Sequence, residues 1–228
     1  LNAFERQFYG AERDGRDPEA YTNAVIASAK RANDTLLQAS STKPELSGLG
    51  CTLAGICLTP SGYLVFSAGD SRVYRLRNNI LKPLTEDDTL TNLAVRTGQM
   101  NFAEAAESES RHTITNSIGS STFKLKISQG PELRDNDTIL ICSDGLHDLV
   151  DHDKLEAIMS SDNSVEQVAS RLCKEALQNG GYDNISIIAI RSDVFEQGVG
   201  WRTIDNNVAD QGELLCEAAG EELRDDTP

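Results

Sequence analysis

An α+β domain is the fold class this sequence predicts. Three observations predict it. Residues 51–84 divide into short β-rich runs separated by turn residues, the pattern of an antiparallel meander. Further on, Thr138–Ser143 and Asn184–Ile190 are apolar runs of strand length. Helical patterns with start and stop signals stand apart from these runs, the clearest at residues 18–38 and 164–178.

The first helix starts at Asp17-Pro18-Glu19, where Asp17 can cap and Pro18 suits the first helical position. Tyr21, Val25, Ala29, Ala32 and Leu36 recur at helical spacing to about Gln38, and Lys43-Pro44 ends the run. The meander follows: Thr52–Leu58, a turn at 59–62, Tyr63–Ser67, a break at Ala68-Gly69-Asp70-Ser71, then Arg72–Arg77. Asn78-Asn79 is a hairpin signal, since both residues tolerate positive φ, and Ile80–Leu84 returns. Residues 85–117 are polar and carry short helices near 88–96 and 102–107; so long an excursion from a core is commonly functional. Lys124–Gln129 is a strand. Thr138–Ser143 is a strand buried on both faces, which Asp144-Gly145 ends. Residues 151–159 are helical, and Ser164-Val165-Glu166-Gln167 is a capping box for a helix reaching about Gln178. Gly180-Gly181 stops it. Asn184–Ile190 is the last strand expected.

Residues 194–228 change character. Nine acidic residues stand there against two arginines, which predicts a disordered acidic tail or linker with one short amphipathic helix at Leu214, Leu215 and Leu223. The domain is therefore expected over residues 1–193. Trp201 is expected to pack the start of the tail.

The net charge of −15 excludes a bulk basic surface, so neither nucleic acid nor an anionic membrane is an expected partner. The longest uncharged run, Leu46–Gly69, is interrupted by Pro, Gly, Ser and Thr, so no membrane span is expected. Five cysteines, an odd number without a Cys-x-x-Cys pair, predict neither a disulfide framework nor a thiolate zinc site, and a reduced, cytoplasmic protein is expected. The chain begins with Leu1 rather than Met, so an upstream segment is expected.

Three carboxylates share one design. Asp70 follows the strand at 63–67, Asp144 follows that at 138–143, and Asp183 precedes that at 184–190. Each has a glycine one or two residues away, which permits a sharp turn and close approach of a ligand. Asp-Gly and Asp-Asn are also ordinary turn dipeptides. Three such carboxylates converging on one sheet edge would repel one another, and a hard divalent cation with oxygen ligands removes that cost.

The chain resembles the metal-dependent type 2C protein phosphatases, the PPM family, in their bacterial form. Ala68-Gly69-Asp70-Ser71-Arg72-Val73-Tyr74, Asp144-Gly145-Leu146-His147-Asp148 and Gly181-Tyr182-Asp183-Asn184-Ile185-Ser186 carry the resemblance. Gly50-Cys51-Thr52-Leu53, Leu84-Thr85-Glu86-Asp87 and Ile114-Thr115-Asn116-Ser117-Ile118-Gly119 add to it, in the right order from about residue 17 to 191. The resemblance implies a four-layer α-β-β-α sandwich, two antiparallel sheets flanked by helices. It implies hydrolysis of phosphoserine and phosphothreonine at a centre of two or three Mn²⁺ or Mg²⁺ ions, on phosphoprotein substrates of a Ser/Thr kinase. By the same resemblance Asp144 and Asp183 hold a catalytic metal, and Asp70 with Asp144 a weaker third one. Gly145 supports the metal loop and Asn184 steadies that of Asp183. Arg72 is expected to pair near its strand end rather than to grip phosphate, and His112, in the 85–117 flap, is a candidate near substrate.

The family's first two metal motifs, an Arg…Asn-Glu-Asp segment and an Asp-Gly-x-Gly-Gly segment, do not occur in residues 1–50. The first strands and the bridging aspartate are therefore expected upstream of Leu1. The competing expectation is a non-hydrolytic, phosphoprotein-binding or regulatory module built on the same fold.

Overall fold

The computed structural model describes residues 18–161, 163–195 and 198–209. The chain forms two compact units: residues 1–73 with 83–133, and residues 74–82 with 134–228. Asp17 and the leucines at 214, 215 and 223 lie outside the described residues.

The first unit is built on helix α1 (Pro18–Thr42) and a three-stranded sheet of β1 (Leu53–Thr59), β2 (Gly62–Ala68) and β5 (Lys126–Gly130), in the order β1-β2-β5. Both pairings are antiparallel, with Leu53 opposite Ala68 and Tyr63 opposite Gly130. Tyr21 and Val25 of α1 share a buried cluster with Cys57, Leu64 and Phe66. Leu64 and Phe66, two residues apart in β2, share the sheet face turned to the helix, and β2 is buried along its whole length. α1 runs four residues past the expected end, and in its last turn Ser41 and Thr42 donate their hydroxyls to the Gln38 carbonyl at 2.8 and 3.0 Å.

Residues 84–117 form an irregular excursion with helices α2 (Leu90–Arg96) and α3 (Phe102–Glu107) and a 3₁₀ turn at Glu109–His112. Both helices are capped by side chains: Thr89 accepts from the Asn92 amide, and Asn101 makes a reciprocal capping box with Glu104. The excursion's ends are tied by single bridges, Thr89 to Ile114 and Cys51 to Ile118.

The second unit holds a five-stranded sheet in the order β4-β3-β6-β7-β8. β3 (Arg72–Arg77) enters it from the first unit and turns into β4 (Ile80–Pro83) through Asn78 and Asn79, whose φ values are 53° and 58°. Two consecutive positive φ angles match the right-handed twist of the flanking strands, which is why this dipeptide marks a hairpin. β6 (Thr138–Cys142) pairs antiparallel with β7 (Ile185–Phe195), and β7 with β8 (Gly198–Ala209). The boundary expected near residue 194 thus falls inside a strand pair. Residues 198–209 continue the sheet, with Trp201 opposite Ser192, and residues 210–228 of the expected tail lie outside the described residues. Charge composition pointed to a tail, whereas pairing is decided by a partner strand that local composition does not reveal.

Helices α4 (Asp144–His147), α5 (His152–Met159) and α6 (Val165–Gln178) belong to this unit. Val168, Leu172 and Ala176 on one face of α6 bury completely with Leu140, Leu146, Leu155 and Ile187. The capping box is present, with Ser164 and Gln167 exchanging bonds at 3.3 and 3.1 Å. At the start of β6, buried Asp137 receives Arg77 through Nε at 2.8 Å and through Nη2, and accepts the Arg134 amide at 2.7 Å. Its own carbonyl takes the Ser192 amide of β7.

Among the described residues the free cysteines are exposed Cys51 and buried Cys57, Cys142 and Cys173. Burial pushes the Cys57 thiol from its ordinary 9.0 up to about 11. Folding therefore favours its neutral form, and the associated stability is complete below pH 9 and lost as the pH rises toward 11. A thiol reagent at pH 8 is expected to modify Cys51 in the native protein and Cys57 only after denaturant is added. Equal labelling rates at the two positions, read by peptide mass spectrometry, would contradict this packing.

Candidate metal centre

β6 and β7 bring two of the predicted carboxylates to one end of the second sheet. β6 ends at Cys142, and Ser143 caps the short helix that Asp144 opens. β7 begins at Ile185, directly after Asp183 and Asn184. Ser143 stitches the two ends together. Its amide donates to the Ser186 carbonyl at 3.1 Å, its hydroxyl donates to the Asn184 carbonyl at 3.1 Å, and it accepts the Ser186 amide at 3.0 Å.

Gly145 completes the junction. A Cβ at this position would run into the Asn184 carbonyl oxygen and stand 3.5 Å from that of Asp183. Only glycine lets the Asp183 loop lie directly against the start of α4. The sequence motif Ser-Asp-Gly therefore has a spatial meaning: one residue ties the loops, the next carries the carboxylate, and the third makes room.

Both carboxylates are oriented by their own backbone. Asp144 Oδ1 accepts the Gly145 amide at 2.9 Å, and Asp183 Oδ1 accepts the Asn184 amide at 2.7 Å. In each, Oδ1 is held by the amide of the following residue. Asp144 is half-buried and Asp183 is exposed. Asn184 acts through its backbone on both sides, donating to Asp183 and accepting from Ser143.

These oxygens are hard donors, the kind Mn²⁺ and Mg²⁺ take. Among the described residues, no group of three or more His, Cys, Asp or Glu side chains is placed to hold a metal ion. The pair fits a cation in donor chemistry.

Asp70 lies in the first unit, past the end of β2, and is 5% exposed. The turn that carries it is fixed by Asp88. The Asp88 amide donates to the Gly69 carbonyl at 2.9 Å, and its Oδ2 accepts the Gly69 amide at 3.2 Å and the Asn116 amide group at 2.7 Å. Lys126 Nζ stands 2.6 Å from Asp88 Oδ1. Arg72 forks onto Asp87, with Nε at 2.9 Å and Nη2 at 2.6 Å from its oxygens. This is the strand-end pairing the sequence suggested for Arg72.

His112 closes the 3₁₀ turn of the excursion and is exposed; its Nε2 accepts from Arg111 Nε at 2.6 Å. Sequence reasoning gave no role to Ser143, Asp88 or Asp137. Their signal is weak because each is a common turn residue whose partner lies far away in the chain.

The sequence profile of the family described as Protein phosphatase 2C matches residues 2–179. The serine/threonine phosphatase stp of Listeria monocytogenes is 28% identical over 169 residues, covering 74% of this chain and 67% of that one. The serine/threonine protein phosphatase PstP of Mycobacterium tuberculosis is 32% identical over 180 residues, covering 78% of this chain and 34% of PstP. Among solved structures, the S. agalactiae serine/threonine phosphatase superposes with a TM-score of 0.72 at 22% identity, over 82% of this chain and 78% of that one. The catalytic domain of PstP in complex with 2 manganese ions superposes with a TM-score of 0.66 at 26% identity, over 82% and 78% of the two chains. These similarities span both units and agree with an α+β fold of two antiparallel sheets with flanking helices.

Proposed function

The chain belongs to the protein phosphatase 2C family, and on that premise we propose that Asp144 and Asp183 are carboxylates of the metal centre at which it hydrolyses phosphoserine and phosphothreonine in proteins. One observation carries the assignment: the Ser143 stitch and the Gly145 contact hold the two aspartate loops against each other at the β6–β7 end.

The family is metal-dependent, and Mn²⁺ or Mg²⁺ is the cation proposed. When bound, it supplies Lewis acidity that makes hydroxide available near neutral pH and offsets charge building on the phosphoryl oxygens. The protein's part is to present and orient carboxylate oxygens. Gly145 and Asn184 amides hold Asp144 and Asp183 by one oxygen each, so their geometry is set before a ligand arrives. Ser143 and Gly145 fix the distance between the loops. No side-chain nucleophile is required. Substrates on this reading are phosphoproteins made by a Ser/Thr kinase. The phosphatase names of the relatives do not favour a non-hydrolytic binding module. Among the described residues no helix is long and apolar enough to cross a membrane, and the free cysteines fit a cytoplasmic location.

Asp70 is assigned to a further, weaker cation. In the full-length protein, Asp70→Ala is expected to keep turnover at saturating Mn²⁺ while moving half-activation to higher Mn²⁺ concentration. An unchanged Mn²⁺ titration would remove Asp70 from the metal centre.

A further inference from the structure

Tyr182 immediately precedes Asp183 and is 77% exposed. The loop that carries it is pinned at both ends. At its start, Asn179 closes α6, and its Nδ2 donates to the Leu149 carbonyl at 2.8 Å. Gly180 and Gly181 follow with φ of 123° and 53°, and the Gly181 amide returns to the Ala176 carbonyl at 3.2 Å. At its other end Asn184 is held by Ser143 and rests against Gly145. The Tyr182 ring lies across Gly180, where any Cβ would collide with it. The hydroxyl end of the ring is thus packed over a glycine, while most of the side chain is open to solvent. A large side chain ordered in advance loses little entropy when a partner covers it.

The segment that Asn179 bonds at the start of this loop is acidic. Apart from Asp144 and Asp183, whose charge a bound cation would offset, residues 144–153 carry Asp148, Asp151 and Asp153 and neither lysine nor arginine. The first cation after them, Lys154, is paired with Glu175 at 3.2 Å. An exposed aromatic ring beside an acidic segment suits a cationic side chain, which the ring quadrupole and the acidic field both attract.

We propose that Tyr182 selects substrates by stacking on a lysine or arginine that flanks the phosphorylated serine or threonine. The proposal rests on the assignment of Asp144 and Asp183 to the hydrolytic centre.

The test uses the full-length protein with Mn²⁺ and two phosphothreonine peptides that differ only in flanking residues, arginine in one and glutamate in the other. The quantity read is the ratio of kcat/KM for the two peptides. A native ratio well above one is expected. Tyr182→Ala should lower it roughly fivefold. Tyr182→Phe, which keeps the ring, should retain it, and Gly180→Ala, which displaces the ring, should lower it as Tyr182→Ala does. Because each ratio is taken within one variant, a general loss of folded protein cancels. A native ratio at or below one, or a Tyr182→Ala ratio equal to the native one, overturns the proposal. If the native protein hydrolyses neither peptide, the assignment of the hydrolytic centre fails, and the proposal falls with it.

Discussion

Asp144→Ala, and separately Asp183→Ala, are expected to lower kcat/KM toward a phosphoserine peptide by about three orders of magnitude in the full-length protein, an effect of about 4 kcal/mol. Each change removes a ligand oxygen from the proposed centre. Neither removes core packing, since Asp144 is half-buried and Asp183 exposed. Unfolding midpoints should therefore stay near the native value while turnover collapses. Asp144→Asn sharpens the reading. It preserves an oxygen for the Gly145 amide, so it keeps the local turn but lowers the charge offered to a cation. Its loss of activity should approach that of Asp144→Ala and should be partly offset by raised Mn²⁺. Turnover near the native rate in either alanine variant would refute the assignment of these two residues.

Asp137→Ala is expected to be the most damaging single change to stability, at about 3–5 kcal/mol. The Asp137 side chain is 1% exposed and that of its partner Arg77 13%. Truncating the carboxylate takes the charge-assisted Asp137 bonds from the largely covered Arg77 guanidinium and removes the acceptor of the Arg134 amide. The cost includes the burial of a cation that has lost its paired carboxylate, which exceeds the net worth of the pair itself. Urea unfolding measures it directly. A loss under about 1 kcal/mol would mean that water or another anion reaches Arg77. The pair joins β3 to the start of β6, so disrupting it should loosen the second unit while the α1–β1–β2 cluster of the first keeps its own contacts.

Much of this site is legible in the sequence, for a physical reason. A carboxylate at the end of an apolar strand with glycine beside it is a local pattern, and Asp144-Gly145 and Asp183-Asn184 display it within a few residues. The Asn78-Asn79 hairpin and the Ser164–Gln167 capping box are equally local, and the backbone angles and bonds agree with both. Arg72 is a middle case. Its strand-end position suggested pairing, but the partner, Asp87, stands 15 residues on across the hairpin.

What the sequence determined by itself is the class of local conformation: which runs are strands or helices, and which turns carry carboxylates of ligand type. Short-range sterics, capping and side-chain period decide these, and all are written in consecutive residues. Tertiary structure alone decided the partnerships. It showed that Gly145 is required by the Asn184 carbonyl rather than by its own φ, that Ser143 ties two strand ends, and that Asp88 fixes the Asp70 turn. It also placed residues 198–209 in the sheet where charge alone suggested a tail. Each of these depends on a contact between segments distant in the chain, and the free energy of such a contact has no trace in the local pattern of either one.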